Sequence, residues 1–315
     1  MPNVKEHFVG IDVAKDWLDV AVLGERGMLQ FANTKKGIAK MVGKLGQLKP
    51  KLIVVEATGG YEEALVLALF AAGLPVALVS PQRVRQYAKA KGLLAKTDQL
   101  DARNLAEYGK SIQPRLFTGK SEAHRKLSAL VARRKQLEEM LQAERNRLRT
   151  ASCQMRVSLE RSIAFLETEM QQIEQEIHTL IQEHAAFQAQ EKLLRSAKSI
   201  GPVTAATLLA DLPELGQLDR KQIAALVGVA PMNQDSGRKR GYRRTKGGRP
   251  AVRNALYMST LTGIRYNPVI QIQYQQLLKR GKDKKVAITA CMRKMLTILN
   301  AMIRDQQPFH CSTNV

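Results

Sequence analysis

Cysteine is nearly absent from this chain: three residues, Cys153, Cys291 and Cys311, in 315. Spaced so widely, they form neither a zinc pattern nor a disulfide framework and read as reduced bystanders. Aromatic residues are scarce too, 5% of the chain with a single tryptophan. That argues against extensive base-stacking platforms and leaves backbone and shape as the expected basis of nucleic-acid contact. The opening MPNVKEHF has no signal-peptide pattern, and the longest apolar run, Ala64 to Val79, is broken by Gly73 and Pro75. A soluble, intracellular protein is expected. Five histidines show no ligand spacing with cysteine or acid. Acids are the minority charge: 28 Asp and Glu stand against 50 Lys and Arg, a formal net charge of +22. Such an excess is foreign to enzymes of small metabolites and suits a protein that lies along phosphate backbones.

A chain of this length has room for two or three compact units. From Phe8 to about Gln113, strands are expected near 7 to 12, 17 to 23, 28 to 32, 52 to 56 and 75 to 79. Helices are expected at 37 to 48, 61 to 72, 81 to 89 and 98 to 110. Three strands followed by alternating helices and strands is the element order of the ribonuclease H and Holliday-junction-resolvase fold, although other α/β layouts share much of it. From Glu122 to Leu194 there is neither Gly nor Pro. Ile163, Leu166, Met170, Ile173, Ile177 and Leu180 keep heptad spacing, as do Leu127, Leu130, Leu137, Leu141 and Leu148, with polar gaps at Arg134 and Glu144. Two helices turning between Thr150 and Ser158 are expected, as a coiled coil that is either an internal spacer or a dimerisation arm. Beyond Ser196 the chain is helical, basic and punctuated by glycine. In KSIGPVTAATLLADL, a Gly-Pro turn before a helix resembles a helix-hairpin-helix module, whose turn amides can receive a phosphate. The expected division is an α/β domain at 1–115, a coiled-coil hairpin at 116–195 and a helical domain at 196–315.

Four carboxylates carry the chemistry of the first region. Asp12 and Glu56 each end an apolar strand, where a charge is costly unless something pairs with it. Asp98 and Asp101, in KTDQLDARNLAEY, share a helix face. Each alone could be a cap or a surface acid, and Asp98 after Thr97 fits a helix start. Together they offer an oxygen-only ligand set for Mg²⁺ or Mn²⁺. In the last region, Arg238, Lys239, Arg240, Arg243, Arg244, Lys246, Arg249 and Arg253 crowd around glycines, with Asp235 the only acid among them. A second cluster gathers Lys279, Arg280, Lys282, Lys284 and Lys285. Both are expected to bind nucleic acid. Ser236, beside Gly237, is by default turn chemistry. A serine nucleophile acting on phosphate nevertheless needs positive charge and an approachable backbone, and this loop supplies both.

The motifs GIDVAKDWLDV, VVEATGGYE, KTDQLDARNLAEY, KSIGPVTAATLLA, LVGVAP, the DSG followed by basic residues, RNALYMSTL and KVAITACMRKMLTILNAM stand in the order found in one family. The chain resembles the DEDD transposases of bacterial insertion sequences, kin to the pilin-gene inverting recombinases and described as bridge-RNA-guided recombinases. The resemblance places the acidic quartet on Asp12, Glu56, Asp98 and Asp101 and the catalytic serine on Ser236. It implies DNA cutting and rejoining through a covalent phosphoserine, with Mg²⁺ held by the quartet. It further implies donor and target DNA as substrates, an element-encoded non-coding guide RNA, and a homo-oligomer, dimer or tetramer, with composite sites in the bacterial cytoplasm at the nucleoid. The competing enzymatic reading is a resolvase-like, structure-selective nuclease whose acids activate water. A non-enzymatic packaging protein is the third.

Overall fold

The structure is a computed structural model describing residues 6–92, 98–119, 121–233, 241 and 243–310, with positions 98–100 described by their backbone alone. Backbone packing divides the chain into two units, Met1–Gly119 and Lys120–Val315.

The first unit runs β1 (Phe8–Val13), β2 (Trp17–Val22), β3 (Met28–Ala32), α1 (Lys35–Leu48), β4 (Leu52–Glu56), α2 (Glu63–Ala71), β5 (Val76–Val79), α3 (Pro81–Ala90) and α4 (Asp98–Ile112). The strands form one five-stranded sheet in the order β3-β2-β1-β4-β5. β1–β2 and β2–β3 pair antiparallel, and β1–β4 and β4–β5 pair parallel. This is the mixed α/β arrangement that the element order anticipates. Strand alternation sorts the apolar residues onto two faces. Val9, Ile11, Val13, Leu18, Val20, Ile53 and Val55 pack with Ile38, Met41 and Leu45 of α1 and with Leu65, Val66 and Leu69 of α2. Phe8, Leu52, Val54, Ala77 and Val79 pack on the other face with Val84 of α3 and Leu105 and Tyr108 of α4. With both faces covered, the central strands read as continuous apolar runs, so an acid at a strand end stands out.

α4 lies unusually close to the sheet. A Cβ on Gly10 would fall 2.0 Å from the Ala102 carbonyl oxygen and 2.5 Å from the Ala106 nitrogen, and one on Gly109 would fall 2.8 Å from Val54 Cγ2. Gly10 lets strand and helix touch backbone to backbone, and Gly109 lets the Val54 side chain rest against the helix backbone. The contacts also fix direction. Ala102 and Ala106 sit over Gly10, and Gly109 sits over Val54, near Leu52 and Phe8. α4 therefore runs antiparallel to β1, and its N-terminal turn overhangs the C-terminal ends of β1 and β4.

The second unit is mostly helical: α5 (Glu122–Thr150), α6 (Cys153–Glu183), α7 (Ala185–Ser196), α8 (Pro202–Asp211), α9 (Arg220–Val227), β6 (Pro231–Met232), β7 (Arg244–Thr245), α10 (Pro250–Tyr266), α11 (Pro268–Lys279) and α12 (Lys284–Asp305). α5 and α6 form an antiparallel hairpin turning at Ala151 and Ser152. Leu137, Leu141 and Leu166 make its seam, and Arg134–Glu174 (2.7 Å) and Arg145–Glu167 (2.6 Å) bridge the helices. The base of the hairpin is not a separate spacer. Leu127, Ile177, Leu180 and Ile181 share one core with α7 to α12. α12 is long and apolar enough to cross a membrane, yet half of its apolar stretch is buried inside this unit. Cys291, Met295, Leu296 and Leu299 on it are fully buried, making it the central core helix. Burial pushes the Cys291 thiol up to about 11, which fits an inert packing role, whereas Cys153 is exposed. Cys311 lies outside the described residues.

Candidate active site

Strand register assembles a polar row on the α4 face of the sheet. Gln30 of β3 is opposite Asp19 of β2, and Asp19 is opposite Asp12 of β1. The parallel pairing of β1 and β4 reaches Ile11 opposite Val55, so the next step sets Asp12 beside Glu56. Neighbouring strands lie about 4.8 Å apart. Asp19, Asp12 and Glu56 thus stand side by side across two such spacings, on the same face as Gly10 and Val54. Because α4 crosses that face at Gly10, half-buried Asp101, immediately before Ala102, stands at the helix end that overhangs the row. The N-terminal end of a helix favours anions, which helps to hold acids there.

Asp12 is half-buried, with Oδ1 accepting the Val13 N–H at 3.0 Å. Three of the four expected acids, Asp12, Glu56 and Asp101, are thereby gathered at one edge of the first unit. Asp98 starts α4, and its side chain lies outside the described residues. Among the described residues, no three acidic, histidine or cysteine side chains close into a group that could hold an ion. The donor chemistry fits a hard cation all the same: carboxylate oxygens only, on two strand ends and a helix terminus.

Sequence reasoning missed Asp19. It is only 6% exposed, sits directly across from Asp12, and accepts a hydrogen bond from Gln30 Nε2 at 2.9 Å. The signal was present in WLDVAV, where an acid occupies the face that Leu18 and Val20 do not. Also missed was the bracing of the loops around the row. Asn33 Nδ2 donates to the Ala14 carbonyl (2.9 Å) in the β1–β2 turn and to the Tyr61 carbonyl (3.3 Å) in the loop after β4. Within that second loop, Glu62 Oε2 accepts from Thr58 Oγ1 (2.9 Å) and the Gly60 N–H (2.8 Å). Burial alone would raise the Glu62 pKa, but the hydrogen bonds from its own backbone, from Gly60 and from Thr58 outweigh it and hold the carboxyl below the usual range.

In the second unit, β6 and β7 close a two-stranded ribbon, with Pro231 opposite Thr245 and Met232 opposite Arg244. Ser236, Arg238, Lys239 and Arg240, which sequence places in the span joining those strands, lie outside the described residues. Arg243, Arg244 and Lys246 are exposed on the ribbon, and Lys279, Arg280, Lys282, Lys284 and Lys285 are exposed around the α11–α12 turn. None of these eight has an ion-pair partner among the described residues, which leaves both clusters open to a polyanion. Arg249 is different. Its two terminal nitrogens donate to the Glu214 carboxylate at 2.5 Å each, and Nη1 also donates to the Asp211 carbonyl at 2.8 Å. Arg253 Nη1 donates to the Gly247 carbonyl at 2.5 Å. These two arginines, grouped with the basic cluster by composition, fasten the base of the ribbon, and a bidentate guanidinium–carboxylate pair is the strong form of that contact.

A transposase family model matches residues 9–153, and a model of the IS116/IS110/IS902 transposase family matches residues 191–275. The first covers the sheet and the acidic row, and the second covers the ribbon. The chain belongs to this transposase family. It is accordingly a transposase or recombinase, an enzyme class that cleaves DNA. Its relatives include the pilin gene-inverting protein of Moraxella bovis, 29% identical over 96% of this chain and 97% of that protein. Another is the transposase for insertion sequence element IS1111A of Coxiella burnetii, 25% identical over 76% of this chain and 72% of that protein. Among solved structures, T. thermophilus RuvC in complex with a Holliday junction substrate aligns with a TM-score of 0.28 and 17% identity, over 36% of this chain and 99% of its own.

Proposed function

We propose that this transposase cuts and rejoins DNA through a covalent link to Ser236, with the acidic row of the first unit holding the scissile phosphate. The observation that carries the proposal is the convergence of Asp12 and Glu56 at adjacent strand ends beneath the α4 terminus that bears Asp101. Asp12, Glu56, Asp98 and Asp101 would hold Mg²⁺ or Mn²⁺, which when bound offsets phosphate charge and polarises the reacting phosphorus. Ser236 Oγ forms a bond to phosphorus as the bond to the DNA leaving oxygen breaks, and the serine proton passes to that oxygen. A hydroxyl from the other DNA then attacks the phosphoserine and releases the serine. One phosphodiester is exchanged for another, so no water and no energy-rich cofactor is consumed. The open basic clusters follow the DNA backbone and a guide RNA encoded by the element, whose pairing with donor and target selects the sites. Acids and serine belong to separate units, which suits a homo-oligomer, dimer or tetramer, that builds each site from two subunits. The work is done in the bacterial cytoplasm, at the nucleoid.

Two substitutions test this. Asp12→Asn should lower cleavage by on the order of a thousandfold. Ser236→Ala should abolish the protein-linked DNA product seen on a denaturing gel. Persistent hydrolysis by Ser236→Ala, with no protein-linked strand in the parent, would establish the water-activating nuclease instead. The guided reading requires that RNA copurify with the protein and map to DNA flanking its reading frame.

A further inference from the structure

The scarcity of aromatic residues hides where two of them stand. Trp17, the sole tryptophan of the chain, is 51% exposed, and Tyr61 is 52% exposed. Phe165, at 63%, and Tyr266, at 65%, are exposed as well, so what singles out Trp17 and Tyr61 is their place beside the acidic row, where an exposed ring is available to a ligand. Trp17 opens β2 two residues before Asp19 and therefore lies on the α4 face, the face of Asp12 and Glu56. Tyr61 lies in the loop that leaves β4 at Glu56.

Neither ring sits on a loose segment. The Ala14 N–H donates to the Trp17 carbonyl at 2.9 Å, and the Asn33 N–H donates to the Asp16 carbonyl at 2.9 Å. The single Asn33 side-chain nitrogen then reaches both the Ala14 carbonyl and the Tyr61 carbonyl. One amide thus ties together the two turns that carry the rings, and Glu62 stiffens the second from within. Among the described residues, neither ring pairs with another aromatic ring or lies under a cation. Two exposed, unpaired rings carried on hydrogen-bonded turns at the rim of a phosphate-handling site match what an unstacked nucleobase needs: a flat apolar face on a fixed backbone.

We propose that Trp17 and Tyr61 are positioning residues that stack on nucleobases flanking the scissile phosphate, so that the acidic row engages single-stranded or locally unpaired DNA. The occupant is a base rather than a duplex backbone, because neither side chain carries charge for a phosphate. The proposal rests on the acidic row being the catalytic site, and its test separates the two.

Because Trp17 is the only tryptophan, the emission of the unmodified full-length protein reports this one position. Short single-stranded oligodeoxythymidylate, titrated without divalent ions while anisotropy follows binding, should quench that emission, and duplex of equal length should quench it less. Trp17→Ala and Tyr61→Ala should each weaken single-strand binding about tenfold, with Trp17→Phe recovering most of the loss. Emission unchanged at saturating single strand overturns the proposal, as does undiminished binding by Trp17→Ala. So does emission that shifts with protein concentration in the absence of DNA, which assigns the ring to a contact between copies of the chain. Asp12→Asn should still show the quench. Cleavage retained by Asp12→Asn would sink the catalytic reading and leave the quench standing, whereas an absent quench with Asp12→Asn inactive sinks only the stacking.

Discussion

Glu62 shows how one side chain can brace the loop that borders the candidate site. Its carboxylate closes the turn after β4 through Thr58 and Gly60, and charge-assisted bonds of this kind favour the ionised form. Because the folded-state pKa is depressed below the ordinary 4.5, the stabilisation is fully present above that value and is lost as pH falls through the lower folded value. Glu62→Gln keeps an acceptor oxygen and removes the titration. The melting temperature of the parent should exceed that of Glu62→Gln above about pH 4.5, and the gap should close on acidification. A gap that stays constant with pH would show that the turn does not depend on the charge. Residue-level legibility from sequence followed the same physics. The placement of Asp12 and Glu56 near strand ends could be read because an acid ending an apolar run is conspicuous. Asp19 could not, because an alternating strand leaves open which face is solvated until α4 is seen to cover it. The pairing of Arg249 could not be read, because a run of positive charge does not reveal a carboxylate 35 residues away.

At the level of elements, the place of Asp101 relative to Asp12 and Glu56 depends on how closely α4 approaches the sheet. Strands and helices of the first unit were legible within a few residues, since period-2 and period-3.6 patterns alternate there without interruption. The backbone contact between Gly10 and the 102–106 stretch of α4 left no trace in hydrophobic pattern, because glycine registers as an absence. Gly10→Ala tests its importance. The added methyl would meet the Ala102 carbonyl at 2.0 Å, and neither backbone can yield without lifting the helix. Overpacking of this sort costs about 1–3 kcal/mol, and the lifted helix carries Asp98 and Asp101 away from Asp12 and Glu56. Cleavage should fall further than stability accounts for, which assays at a temperature well below the melting transition would reveal. Full activity in a folded Gly10→Ala protein would disconnect α4 from the chemistry. For the hairpin, heptads gave the two helices and the turn, yet a repeat does not name its partner. The base of the hairpin therefore proves to be core for α7 to α12 only once tertiary packing is seen.

For the whole molecule, charge is the property that composition fixes and folding distributes. An excess of +22 repels itself in a compact chain. The ribbon and the α11–α12 turn keep their charges in solvent, without ion-pair partners among the described residues. Two such patches in one unit suit two polyanions, or one long enough to span both. Each phosphate neutralised on duplex DNA contributes about 0.9 to the slope of log affinity against log salt. If the α11–α12 turn tracks a backbone, replacing Lys282, Lys284 and Lys285 by glutamine should lower that slope by about 2 to 3. Arg249→Gln should act differently. Its guanidinium is committed to Glu214 and the Asp211 carbonyl, so the loss should appear as a lower melting temperature with the salt slope unchanged. Filter-binding titrations across a salt series, read beside thermal melts of both variants, check the division. A slope that falls with Arg249→Gln and stays put with the triple lysine variant would reverse the assignment and move the nucleic-acid interface to the base of the ribbon.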